Sequence, residues 1–192
     1  AIAALVAAIG NQPAATNDVS ATAGVSYIAI NNAHALFGDA SQRLIAQVMT
    51  GAMYHKLLGQ NLANAERLCQ CSGGQVFDIL GKAVIITDAA ALYEAGTPNK
   101  QKVLSLADGA AVVMDGSDLI TNIQTSNGKE RIETTMQADY TFGLGMKGYT
   151  WDTANGGKSP TSAELATGTN WDLVANSIKA SAGVLTIGDA AQ

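Results

Sequence analysis

Between Asp39 and Leu62 the apolar positions recur with the period of a helix. Leu44, Ile45, Val48, Met49, Ala52, Met53 and Leu62 fall on one arc, and Arg43, Gln47, Thr50, Tyr54 and Asn61 fall opposite. Asp39 is placed to cap the N-terminus, with Gln42 three residues on as the returning partner of a capping box. This predicts a helix about 36 Å long at roughly 1.5 Å per residue, a strut longer than the average globular helix. Upstream, residues 1–9 read as a short buried helix ended by Gly10, and the turn formers of residues 11–26 read as a connector.

After Gly73-Gly74 the period changes. The β-branched run Val84-Ile85-Ile86-Thr87 predicts a strand buried on both faces, with Asp88 as the cap of a short helix after it. "KVLSLADGAAVVMD" predicts two further strands, and Asn127-Gly128 between two strand patterns predicts a hairpin with a polar tip. From Ile132 the alternation is long. Ile132, Thr134, Met136, Ala138, Tyr140, Phe142, Leu144 and Met146 share one face, and Glu133, Thr135, Gln137, Asp139, Thr141 and Lys147 the other. Fifteen residues in one strand would span about 50 Å. Past Gly156-Gly157 and Pro160, Thr161-Ser162-Ala163-Glu164 predicts a capping box on a helical turn closed by Gly168. "NWDLVANSIK" and "AGVLTIG" read as closing strands.

Composition narrows the function classes. The 192 residues are 47% hydrophobic and only 14% charged, with a formal net charge of -5. A soluble surface is usually about 25 to 35% charged, so part of this surface is expected to be covered by partners. No basic run is present, which disfavours a broad grip on nucleic acid phosphates and leaves weak, non-specific contact. The opening "AIAALVAAIG" is too short to span a membrane and lacks the flanks of a signal peptide. The start at Ala1, without Met, is expected of a fragment or a processed product.

Candidate chemistry is sparse. Gly143-x-Gly145-x-x-Gly148 has dinucleotide-loop spacing, but that motif requires a following helix whose N-terminal amides face a pyrophosphate. Tyr149-Thr150-Trp151-Asp152 does not open a helix, so the glycines read as a thinned strand end that admits another backbone or a bend. Cys69 and Cys71 are too close in sequence for an unstrained disulfide, and with only His34 and His55 they lack zinc-ligand spacing. Neither histidine sits at a nucleophile-motif spacing, and His55 reads as a packing-edge residue of the helix. Asp78, Asp88 and Asp115 could be read as metal-hydrolase carboxylates, but Asp88 is better explained as a cap and Asp115 as part of an Asp-Gly turn. Trp151 and Trp171 are anchors of either a core or an interface. No catalytic, cofactor-binding or metal residue is assigned, and no cofactor is expected.

Three ordered stretches, "FGDASQRLIAQVMTGAMYHKLLGQ", "LGKAVIITDAAAL" and "YTFGLGMKGYTWDTANGGKSPTSAELATGTNW", together resemble the major capsid proteins of tailed bacteriophages and prophages, of the Hong Kong 97 shell type. The resemblance implies an α+β fold. Its parts would be a connector and start of the peripheral domain over 1–35, the spine helix over 36–72, an axial-type domain over 73–128, and the long strand with the closing part of the peripheral domain over 129–192. It also implies an N-terminal arm and an extended loop upstream, which this chain is expected to lack. A cross-linking lysine and asparagine occur in one branch of the fold, and no motif here places them.

The function expected from this resemblance is structural, not enzymatic. Copies of the chain would assemble as hexamers and pentamers into an icosahedral virion shell around double-stranded DNA, in the bacterial cytoplasm, with scaffold and portal proteins as partners and no membrane. One alternative is an encapsulin-like nanocompartment shell. Another, of a different class, is a nucleotide-binding enzyme using the Gly143 to Gly148 loop.

Overall fold

The computed structural model describes residues 1–63, 78–79, 81–128 and 130–192. The chain divides into two compact units, one made of Ala1–Ala111 with Met146–Gln192 and the other of Val112–Gly145. Cys69 and Cys71 lie outside the described residues.

In chain order the first segment of unit 1 carries α1 (Ile2–Gly10), β1 (Thr16–Asp18), α2 (Tyr27–Ala35), β2 (Leu44–Met49), α3 (Gly51–Ala63), β3 (Asp78–Ile79), β4 (Lys82–Ile86), β5 (Tyr93–Glu94) and β6 (Lys100–Ala107). Unit 2 is built from β7 (Ala111–Asp115), β8 (Ile120–Asn127), β9 (Ile132–Asp139) and β10 (Phe142–Met146). Unit 1 then resumes with β11 (Tyr149–Trp151), α4 (Thr153–Gly156), α5 (Ser162–Leu165), β12 (Trp171–Leu173) and β13 (Gly183–Asp189).

A mixed sheet in the order β1-β13-β6-β2-β4-β3, with β5 also on β6, organises unit 1. Side chains of cross-strand partners share a face, and the register assigns the faces. Val184 pairs Ser105 and Gln47 pairs Ser105, so these point one way, while Leu185, Leu104 and Val48 point the other. α2 and α3 cover the first face. Val25, Ile30, Met49, Met53, Tyr54, Leu57, Val84 and Val103 form one apolar cluster there, and Ala33, Phe37, Leu44, Ala107 and Val184 form a second. α1 covers the second face over β13, where Gly10 closes on Leu185.

β13 is therefore the strand enclosed from both sides, with Val184, Leu185 and Thr186 buried. The sequence placed that role on β4, and the structure corrects it. Val84 is buried, but Ile85 and Ile86 are 50% and 43% exposed. Ile85 pairs Val48 on the α1 side of the sheet, and α1 packs over β13, several strands away, so α1 does not cover it. Asp88 does not cap a helix either. The short 3-10 turn Ala90–Leu92 begins after Ala89 without a side-chain cap.

The helix expected from Asp39 to Leu62 is also corrected. Gly38–Arg43 is a 3-10 turn, Leu44–Met49 is the central strand β2, and only Gly51–Ala63 is helical. A short apolar run with Ile and Val fits either period, and pairing with β4 on one side and β6 on the other decides for the strand. That pairing buries Gln47 and leaves Ile45 half exposed, the reverse of the helical arc. The cap of α3 is Thr50, whose hydroxyl accepts from the Met53 amide at 3.2 Å. Asp39 instead accepts from the Lys179 ammonium at 2.5 Å.

Expectations nearer the ends agree with the structure. The first helix runs over Ile2–Gly10, the last strand over Gly183–Asp189, and Thr161 with Glu164 forms a reciprocal capping box on α5.

Candidate functional site

The glycine stretch does not form a phosphate cradle. β11, a strand, follows Gly148 directly, so no row of helix N-terminal amides faces it. Gly148 has φ +80°, and a Cβ there would fall 2.9 Å from Ser181 Cα and 3.1 Å from the Ala180 carbonyl oxygen. The close backbone approach expected at Gly143 and Gly145 thus occurs at Gly148. A Cβ at either of the first two would find its nearest neighbour 4.0 Å away, which leaves room for a side chain.

His34 and Ser105 meet in the core of unit 1, His34 Nε2 lying 2.9 Å from the serine hydroxyl. Sequence patterning does not reveal this pair, because 71 residues separate the two. Both are buried, His34 on α2 and Ser105 on β6. Burial, and secondarily the positive Lys82, push the His34 imidazole down to about 4, so it is neutral at pH 7. A general base needs the opposite: access to substrate and a carboxylate that favours the imidazolium. The Lys82 ammonium itself donates to the Ser41 and Leu44 carbonyls and ties β4 to the start of β2. His55 is exposed on α3, its ring edge-on to Tyr54 with centroids 5.4 Å apart.

Nor do the remaining candidates converge. Among the described residues no group of three His, Cys, Asp or Glu side chains is placed to hold a metal. Asp78 lies in the two-residue β3. Asp115 accepts from the Ser117 amide at 3.1 Å, closing the expected Asp-Gly turn. Trp151 and Trp171 pack edge to face at 4.9 Å and donate to the Gly157 and Leu165 carbonyls. They anchor the local packing of residues 149–171. Gly156 is required beside them, since a Cβ there would fall 2.1 Å from the Trp151 ring. A cleft of about 480 Å³ lies under α1, lined mainly by Val6, Ala7, Tyr93, Leu185 and Ile187. Its two charged groups, Glu94 and Lys102, bind each other at 2.7 Å and are committed to that pair rather than to orienting a ligand.

What remains is unit 2, and it is unlike the rest of the chain. From Val112 to Gly145 every described residue is exposed except the half-buried Leu144. Most of the exposed large hydrophobic side chains among the described residues lie here, including Ile123, Ile132, Met136, Tyr140 and Phe142. β8 and β9 pair antiparallel, Ile123 opposite Met136 and Asn127 opposite Ile132, and among the described residues neither has another strand partner. The Asn-Gly step sits at the tip as expected, but the loop is longer than a two-residue turn, with the Gly128 amide donating to the Arg131 carbonyl at 2.9 Å.

The register sorts this hairpin into two chemically distinct faces. Thr121, Ile123 and Thr125 share a face with Ala138, Met136, Thr134 and Ile132, and that face carries no charge. Ile120, Asn122, Gln124 and Ser126 share the other with Asp139, Gln137, Thr135 and Glu133, so that face is polar and acidic apart from Ile120 at the end away from the turn. The fifteen-residue strand expected from Ile132 is in fact two strands. It breaks at Tyr140-Thr141, where Asp118 accepts from both the Thr141 amide, at 2.9 Å, and the Thr141 hydroxyl, at 2.5 Å. β9 before the break pairs with β8, and β10 after it pairs with β7.

Comparison with known proteins identifies the kind of molecule this is. A family model described as Gp13-like, major capsid protein 13-like, matches residues 1–185. No curated protein matches the sequence. Among solved structures, the fold is similar to the holo-SrpI encapsulin complex from Synechococcus elongatus, with a TM-score of 0.54 at 8% sequence identity. The match covers 94% of this chain and 55% of the encapsulin chain, so this chain spans about half the length of that relative.

Proposed function

Because the chain belongs to the Gp13-like family of major capsid proteins, we propose that its copies build the icosahedral shell of a tailed bacteriophage or prophage around double-stranded DNA. The family makes it a shell-forming structural protein that associates with copies of itself. The observation that carries the further step is unit 2, a 34-residue segment whose apolar side chains are largely exposed among the described residues. Exposed apolar surface of this extent marks an interaction site, and a shell supplies the neighbours that cover it. In this reading the copies form hexamers and pentamers in the host cytoplasm, aided by scaffold and portal proteins. DNA is held by confinement and weak contact, in keeping with a net charge of -5 and no basic run.

A second reading, a nanocompartment shell enclosing protein cargo, is favoured by the encapsulin likeness. Electron microscopy of the expressed full-length protein, with scaffold supplied, tests both. Closed particles containing nuclease-protected DNA are expected. Particles filled with protein would move the assignment to the nanocompartment, and a protein that stays monomeric under every assembly condition would remove the shell reading altogether.

A further inference from the structure

We propose that the uncharged face of the β8–β9 hairpin, centred on Ile123 and Met136, is the surface by which this chain seats on a second copy of itself within the shell, and that the opposite face stays in solvent. The inference rests on the shell-forming reading and adds which side of the hairpin makes the contact.

Three observations single out that face and that occupant. Ile123 and Met136 lie directly opposite each other and are 65% and 69% exposed, and Ile132, 69% exposed, stands on the same face four residues along β9, past the Thr125–Thr134 pair. A two-stranded hairpin is at best marginally stable by itself, so an uncovered apolar face on one invites a partner. The face holds no charged residue, whereas Glu133 and Asp139 both point to the other side. A polyanion such as DNA is thereby a poor occupant of either face: one offers it no cation, and the other carries Glu133, already paired with Arg131 at 3.7 Å, and the acidic Asp139. A protein surface of the same low charge is a good one, and a capsid-family shell presents a second copy of this chain, 14% charged overall, at every neighbouring position.

The size of the face sets how it acts. Two eight-residue strands present a patch about 27 Å long and about 10 Å wide, roughly 270 Å². A standard stable interface covers about 800 Å² on each partner. The hairpin face alone does not hold two copies together, and its contribution appears once several contacts per subunit close simultaneously. Isolated subunits at low concentration are therefore monomeric with respect to this contact.

Charge placed on one face at a time tests the assignment in the full chain. Ile123→Lys with Met136→Lys alters the uncharged face, and Gln124→Lys with Thr135→Lys puts the same charge on the opposite one. Sedimentation of assembly reactions reads the fraction of protein in closed particles. The first pair is expected to lower that fraction at least tenfold, the second to leave it within about twofold, and the conservative pair Ile123→Val with Met136→Leu to behave as the parent. Thermal melts of the unassembled variants establish that unit 1 is folded in each. A benzophenone amino acid replacing Ile123 should give adducts between copies of this chain in assembled particles, and one replacing Gln124 should not. Parent particles that form while the two charged pairs behave alike would overturn the face assignment and leave the shell reading standing, as would adducts from Ile123 only to scaffold. A parent protein that never assembles sinks both.

Discussion

Unit 1 and unit 2 handle the same kind of residue in opposite ways. In unit 1 α1 packs over one face of the sheet at β13 and α2 with α3 over the other, and Val184, Leu185, Leu104 and Val48 of β13, β6 and β2 are all buried. In unit 2 Ile120, Ile123, Ile132 and Met136 stand in strands of equal regularity and are exposed among the described residues. The alternation along a strand says which residues share a side. It does not say whether a layer exists to cover that side, and in a shell-forming protein that layer can belong to another molecule.

The contrast can be broken most severely from the core of unit 1. Phe37 is fully buried against Ala33, Leu44, Ala107 and Val184, and Phe37→Ala should cost about 3 to 5 kcal/mol through lost burial and the cavity left behind. Chemical denaturation of the unassembled protein measures this, and a loss below about 1 kcal/mol would mean that the cluster is not the core it is taken for.

Acid is the next largest lever. The His34 site is held near 4 in the folded chain against an ordinary value of 6.5. Below pH 6.5 the unfolded chain takes up a proton that the folded chain refuses. Stability is therefore intact above pH 6.5, falls as pH drops from 6.5 towards 4, and levels off beneath that, a total of up to about 3 kcal/mol. Replacing His34 by Gln should flatten that part of the pH profile, whatever it does to the absolute stability. An unchanged slope in the variant would show that His34 is not the group responsible.

A smaller effect is expected at Gly148. Its positive φ and the 2.9 Å approach of Ser181 leave no place for a methyl group, so Gly148→Ala should cost about 2 kcal/mol. Gly143→Ala and Gly145→Ala, in β10, have room and should cost far less, which separates the structural glycine from its two neighbours in the same stretch. The smallest expected change comes from unit 2. Ile123→Lys should leave the melting of the unassembled chain within about 0.5 kcal/mol of the parent, as at an exposed site. A large loss would show that the hairpin face is covered by its own chain in solution.

Legibility in the sequence followed how local the deciding interaction is. The capping box at Thr161 and Glu164, the first helix, the last strand and the hairpin tip are set within a few residues, and all were readable. β2 was not. Its six residues suit either period, and what makes them a strand is pairing with β4 and β6, partners about 35 to 60 residues away in sequence. The break at Thr141 was equally hidden, because the Asp118 carboxylate that receives it lies 23 residues upstream. For the candidate site, the sequence supplied the sidedness of residues 132–138 and the low charge that calls for partners. It could not show that β8 faces them in a register that adds Ile123 and omits every charge, nor that the resulting face is exposed among the described residues.

Strand parity turns the two-faced hairpin into a constraint on inheritance. Substitutions that keep each face apolar or polar can accumulate until little identity survives, but adding or removing a single residue within β8 turns the remainder of the strand over. Asn122 or Gln124 would then stand where Ile123 stood, and the contact face would lose half its character in one event. Lineages carrying this hairpin should therefore drift freely in spelling while conserving the spacing within β8 and within β9, with changes of length confined to the tip between them, so the trace of common descent would lie in spacing more than in letters.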